Sequence, residues 1–177
     1  MEWYAHEVLR WNESQNLIGP SESARIWGRH FLDSAQVIDL LEPEETVVSD
    51  LGSGAGFPGL VIAIMAPWLT VHLIESDIKK SAFLRHISAH LKLPTRIHTQ
   101  RLETLECLPG QVVTARGLAT LTQLLDWIEP LRRGPQRYIF LKGQTANLEL
   151  TEAGKYWTID AELRPSRSHA SGQVIIL

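Results

Sequence analysis

Cysteine is nearly absent. Cys107 stands alone among 177 residues, so no internal disulfide can form, and a reducing, cytoplasmic setting is the default. Long apolar runs are missing as well. The longest, Leu60 to Ala66, stops at Pro67 and is far too short to cross a bilayer, so no membrane association is expected. The opening residues Met-Glu-Trp-Tyr-Ala-His-Glu-Val carry acids and no apolar stretch, which argues against a signal peptide. No His/Cys group has metal-ligand spacing, so no metal is expected. No segment repeats, and no low-complexity tract occurs. Positive charge is in deficit: 17 Lys and Arg face 20 Asp and Glu, for a net charge of −3. Taken alone, that argues against a nucleic-acid partner. What remains, 44% of it hydrophobic, is one globular domain over residues 1–177 with enough length to bury a core. A monomer is expected.

Acids are also missing from one particular stretch. Lys79 to Arg101 holds Lys79, Lys80, Arg85, Lys92, Arg96 and Arg101, with His86, His90 and His98 among them and no Asp or Glu. Eleven basic residues are left for the rest of the chain, against all twenty acids. A basic patch on an acidic body points to a chosen anionic surface, although a solvated helix face would look the same. Lys79, Lys80, Arg85 and Lys92 are the candidates to bind an anionic partner such as RNA.

The order of elements predicts an α/β fold. Residues 3 to 13 read as a helix with Tyr4, Val8 and Trp11 on one face. A Gly-Pro-Ser turn at 19–21 opens a second helical region to about Leu41, broken near Gly28. Residues 1–45 are thus a short helical region before a core over 46–177. Strand Thr46 to Leu51, helix Gly59 to Ala66, strand Val71 to Ser76 and helix Asp77 to Leu91 follow. Within that last helix Phe83, Leu84, Ile87 and Leu91 share one stripe, and Arg85 and Lys92 point the other way. Strands near 95–100 and 111–116, a helix near 120–132 and strand Tyr138 to Leu141 come next. Trp157 to Leu163 and Gly172 to Leu177 lack a long helix between them and should form an antiparallel edge hairpin. Strand alternating with helix means a mostly parallel sheet with helices on both faces. The six tryptophans are expected mostly in the core.

One loop is rich where the rest of the chain is plain. Residues 50–59 read Asp-Leu-Gly-Ser-Gly-Ala-Gly-Phe-Pro-Gly. Such a loop between strand and helix lets backbone N–H groups approach a ligand. Gly52, Gly54 and Gly56 give the spacing that suits a methyl donor. Gly54, Gly56 and Gly59 give the spacing of a dinucleotide site. Glu75, at the next strand end, is placed to hydrogen-bond ribose hydroxyls in either case. Asp50 favours the methyl donor, because a carboxylate suits a cationic sulfonium better than a pyrophosphate. Only thirty-four residues follow Gly143, too few for the substrate domain a dehydrogenase usually carries.

Taken together, the motifs resemble the RsmG family, also called glucose-inhibited division protein B. The likeness rests on Asn16-Leu17, on Arg29-His30-Phe31-Leu32-Asp33-Ser34 and on the whole loop 50–59. It continues through Lys80-Ser81-Ala82-Phe83-Leu84, Arg116 and Leu141-Lys142-Gly143. The resemblance implies a class I S-adenosylmethionine-dependent, Rossmann-like methyltransferase acting on guanine N7 of 16S ribosomal RNA, alone or within the small ribosomal subunit. By position it carries cofactor contacts onto Gly52, Phe57, Leu102, Glu103 and Arg116. It also moves Arg29, His30, Asp33 and Ser34, adjacent on one helical turn, toward the rim of the active site. Lys142, ending a strand on the ligand side, is a substrate-positioning candidate. Gly117 departs from the family, which commonly has alanine after this arginine. The N-terminal helical region is shorter than usual in the family, and the usual basic tail is missing. No residue stands out as a general base, and guanine N7 does not need one.

The rival expectations are an NAD-dependent reductase using Gly54, Gly56 and Gly59, a methyltransferase for a small molecule or protein, and a non-catalytic interaction domain.

Overall fold

The computed structural model describes residues 1–134 and 136–177. Seven strands form one sheet in the order β3-β2-β1-β4-β5-β7-β6. They are β1 (Val47–Leu51), β2 (Thr70–Ile74), β3 (Thr95–His98), β4 (Val112–Arg116), β5 (Arg137–Lys142), β6 (Glu162–Pro165) and β7 (Gln173–Ile176). The first five are parallel, and β7 runs antiparallel to both β5 and β6. The strand order reverses between β1 and β4, and ligands of such sheets bind at that crevice beyond the carboxyl ends of the strands.

Alternation along the strands sends side chains to two cores. Val48, Val71, Val112 and Ile139 face one; Leu51, Val113, Ala115 and Phe140 face the other, as a period of two requires. Helices α1 (Glu2–Gln15), α3 (Gly59–Met65) and α4 (Ile78–Leu91) cover the first face. In the chain, between α1 and β1, come short helical pieces, among them a π-helical turn at Trp27–Leu32 and α2 (Asp33–Ala35). Helices α5 (Leu121–Ile128) and α6 (Ala146–Ala153) cover the second face. In α3 Leu60, Val61, Ile62 and Ala63 have no exposure at all. At roughly 1.5–3 kcal/mol for each large side chain removed from water, that burial fixes the helix behind the glycine loop.

Several expectations need correction. Residues 146–153 form α6, which sequence reading missed, and β6 starts at Glu162 instead of Trp157. The helix expected near 120–132 is α-helical only to Ile128 and runs on as a 3-10 turn over Glu129–Leu131, because Pro130 has no N–H to continue the α ladder. The tryptophans, expected mostly in the core, do mostly pack there: Trp3, Trp11, Trp127 and Trp157 lie half-buried against the cores, while Trp27 and Trp68 are exposed. Trp3, for instance, stacks on His90 in the seam between α1 and α4, with ring centroids 3.7 Å apart. Among the described residues no helix is long and apolar enough to cross a membrane.

Candidate active site

The glycine loop joins β1 to α3 at the point where the strand order reverses. Gly54 adopts φ +56°, and a Cβ built there meets nothing closer than Gly52 O at 3.7 Å. Its position is therefore open to a ligand that approaches the backbone. Gly52 and Gly54 line two neighbouring hollows, and both hollows also touch Lys80 and Gly117. The loop is thus a ridge across which one extended ligand can lie.

On one side of the ridge is a hollow of ≈ 320 Å³ lined by Glu75, Leu102 and Glu103. Glu75 directly follows β2 with each carboxylate oxygen on one backbone N–H: Gly54 donates to Oε2 and Asp77 to Oε1, both at 2.8 Å. Each oxygen keeps a second lone pair for a hydroxyl. Asp77 caps α4 by accepting from Lys79 and Lys80 N–H, which sets Lys80 at the ridge. Arg101 also reaches this hollow.

On the other side is a cavity of ≈ 590 Å³ lined by Phe57, Arg29, His30, Asp33, Arg116 and Lys142. The Arg116 guanidinium lies over the Phe57 ring, 5.2 Å from its centroid. It donates to Arg29 O at 2.8 Å and to His30 Nδ1 at 2.5 Å, and Asp33 Oδ2 is 3.5 Å away. Burial lowers its pKa, with Asp33 opposing that shift. Burial, reinforced by Arg116, pushes His30 down to about 4, so its imidazole is neutral at pH 7. Asp33 also accepts from Gln36, Ser166 and Ser168. The two serine bonds tie the β6–β7 turn to α2.

Three proposed cofactor and substrate contacts lie elsewhere. Asp50 is fully buried behind the loop, where its carboxylate accepts from Gly59 N–H and Thr114 Oγ. Burial raises its pKa to about 6. It braces the loop and touches neither hollow. Gly56 turns inward: a Cβ there would meet Leu60 Cδ1 at 2.3 Å and the Tyr4 hydroxyl at 2.6 Å. Ser34 is fully buried and donates to His30 O within its own turn.

Lys142 does line the cavity, but its ammonium is committed to Ala119 O at 2.6 Å and Glu149 at 2.7 Å. The RNA-binding candidates divide. Lys79 is exposed and Lys80 half-buried, both in the first turn of α4, beside the crevice. Arg85 donates to Thr99 farther along. Lys92 caps the far end of α4, roughly 20 Å from Lys79 at 1.5 Å per residue.

Sequence reading missed Tyr4 and Glu22. Tyr4 reaches out of α1 and donates to Ala55 O at 2.6 Å, pinning the glycine loop from a helix fifty residues away in the chain. Glu22 lines the cavity and accepts from Gly19 N–H and Arg29. A tyrosine on an apolar stripe and an acid in a polar turn carry no local signal of these roles.

The description "rRNA small subunit methyltransferase G" (GidB) matches residues 1–173. The chain belongs to that family. It is 47% identical to the protein of that name from Caulobacter vibrioides over 95% of this chain and 78% of that one. To the one from Gluconobacter oxydans it is 41% identical over 99% of this chain and 90% of that one. Among solved structures, a putative rRNA-methylase from Clostridium thermocellum superposes with TM-score 0.59 at 14% identity, over 81% of this chain and 91% of that one. A SAM-dependent O-methyltransferase from Thermotoga maritima does so with TM-score 0.58 at 14% identity, over 98% and 70%. The fold is that of the class I methyltransferases, as the strand order and the edge hairpin indicate. The reductase reading falls with family membership. The last glycine of its spacing is also a packing residue, since a Cβ on Gly59 would strike Leu73 at 2.3 Å.

Proposed function

We propose that this member of the methyltransferase G family transfers a methyl group from S-adenosylmethionine to N7 of one guanine in small-subunit ribosomal RNA. The observation that carries the reading is the pair of hollows joined across Gly52 and Gly54. Glu75, Leu102 and Glu103 would hold the adenosine end, with Glu75 accepting from ribose hydroxyls and Leu102 and Glu103 beside the base. The open backbone at Gly54 fits a group that must pass close over the loop. When bound, S-adenosylmethionine supplies an electrophilic methyl: the N7 lone pair takes it, the C–S electron pair stays on sulfur, and the positive charge passes to the base.

The chain's own residues then have to align and shield. Phe57 and Arg116 form the floor against which an unpaired or flipped guanine would lie. No proton leaves N7, so no base is required, and the cavity suits that: His30 is neutral with Nδ1 occupied by Arg116, and Asp33 already accepts from hydroxyl donors and faces Arg116. Lys79, Lys80 and Arg101 beside the crevice would meet phosphates. The setting is the cytoplasm, and the protein acts as a monomer. Calorimetry should show S-adenosylmethionine binding and no NAD binding. Chemical mapping of 7-methylguanine in ribosomal RNA from cells with and without the protein should show one small-subunit guanine losing its methyl. An unchanged map would refute the reading.

A further inference from the structure

His30 is 4% exposed and lies on the cavity wall, with its ring beside Phe57, centroids 4.9 Å apart. A guanidinium only donates hydrogen bonds. Since Arg116 Nη2 sits 2.5 Å from His30 Nδ1, that nitrogen must be the acceptor and the proton must be on Nε2. This Nε2–H is buried and has no hydrogen-bond partner. Glu22 Oε2 is 3.3 Å away but outside hydrogen-bond geometry, and Glu22 is already held by Gly19 N–H at 3.0 Å and Arg29 Nε at 3.3 Å. A buried donor left unpaired is costly. Here the ring that carries it and the Glu22 side chain that covers it both line the cavity.

Adenine and guanine both present N7 in the major groove. They differ beside it, where guanine has the O6 acceptor and adenine the N6 amino donor. A group that can only donate, set next to the reacting nitrogen, therefore tells the two purines apart. We propose that His30 Nε2–H donates to O6 of the target guanine and so makes the methyltransferase specific for guanine over adenine. Arg116 is the positioning residue: it holds the tautomer and prevents the ring from offering an acceptor. Glu22 covers Nε2 in the free protein and yields to the entering base. This inference rests on the guanine-N7 reading.

The test uses a small-subunit rRNA fragment with its mapped target position synthesised as guanine or as 2-aminopurine, which keeps N7 and lacks O6. The wild-type protein should lose kcat/KM by roughly ten- to hundredfold on the 2-aminopurine RNA, the size of a lost hydrogen bond that leaves its donor buried. His30→Phe keeps a ring against Phe57 but has no donor. It should slow guanine methylation and bring the ratio between the two RNAs down at least tenfold. The difference between the two ratios cancels the intrinsic reactivity of the analogue. His30→Gln retains an N–H and should retain most of the wild-type ratio, which keeps the test decisive should the Phe variant not fold. Equal rates on both RNAs with the wild type, or a wild-type ratio persisting in His30→Phe, or a ratio near one in a folded His30→Gln, would overturn the inference. No methylation of the guanine RNA by the wild type, with S-adenosylmethionine bound, would instead refute the proposed function.

Discussion

At the scale of single residues, the site depends on a few atoms whose alternatives are poor. Gly54 has φ +56°, a conformation that costs a β-branched side chain heavily. Gly54→Val should lower S-adenosylmethionine affinity at least tenfold by calorimetry; unchanged affinity would remove the loop from the cofactor site. Tyr4→Phe leaves the buried Ala55 carbonyl without its donor. Stability should fall by about 1–3 kcal/mol in denaturant unfolding, with weaker cofactor binding because the loop is loosened. Acid should destabilise the fold through His30 and His72, both held at about 4, each first by burial, with Arg116 acting on the first and His98 on the second. Below about 6.5 the unfolded chain protonates these rings while the folded chain does not. Their contribution is therefore complete above that pH and is lost as pH falls toward 4. Asp50, raised to about 6, acts oppositely, because the folded state binds its proton first. The melting temperature should drop between pH 6.5 and 4, and Asp50→Asn should make that drop steeper. A flat profile in both proteins would contradict these assignments.

At the scale of elements, α4 divides the basic stretch that looked continuous in the chain. Its first turn stands beside the crevice and its last residue lies at the opposite end of the sheet. Lys79→Glu should therefore weaken RNA binding and lower the log–log salt slope by about 0.7 to 0.9 for one lost phosphate contact. Lys92→Glu should change neither; equal effects from both would mean that the RNA follows the whole helix face. The helical stripe of α4 was legible because Phe83, Leu84 and Ile87 are large and apolar. Helix α6 was not. Its buried face is Ala146, Leu150 and Ala153, while Leu148 points outward at 68% exposure, so its apolar pattern misleads. Missing α6 also hid Glu149, which neutralises Lys142 and removes it from the list of free cations.

At the scale of the whole molecule, the mostly parallel sheet and its antiparallel edge hairpin could be read from strand–helix alternation, and the ligand end followed from the fold, whereas the strand order came only from the structure. What could not be read was which side of each residue faces the ligand. Asp50, Gly56 and Ser34 belong to the right motifs but support the site from behind. Tyr4 and Glu22 come from the N-terminal region and enter the site only through packing. The assembled cavity offers a buried imidazole held neutral beside carboxylates already hydrogen-bonded, which is chemistry suited to a nucleophile that sheds no proton. The most direct measurement is single-turnover methylation of small-subunit ribosomal RNA at saturating RNA, followed across pH 6.5 to 8.5 with the product mapped chemically. The account predicts one 7-methylguanine and a nearly constant rate, since neither N7 nor His30 titrates in that range. A rate rising about tenfold per pH unit, as expected when a base must remove a proton, with the methyl on an amino group or hydroxyl, would contradict it.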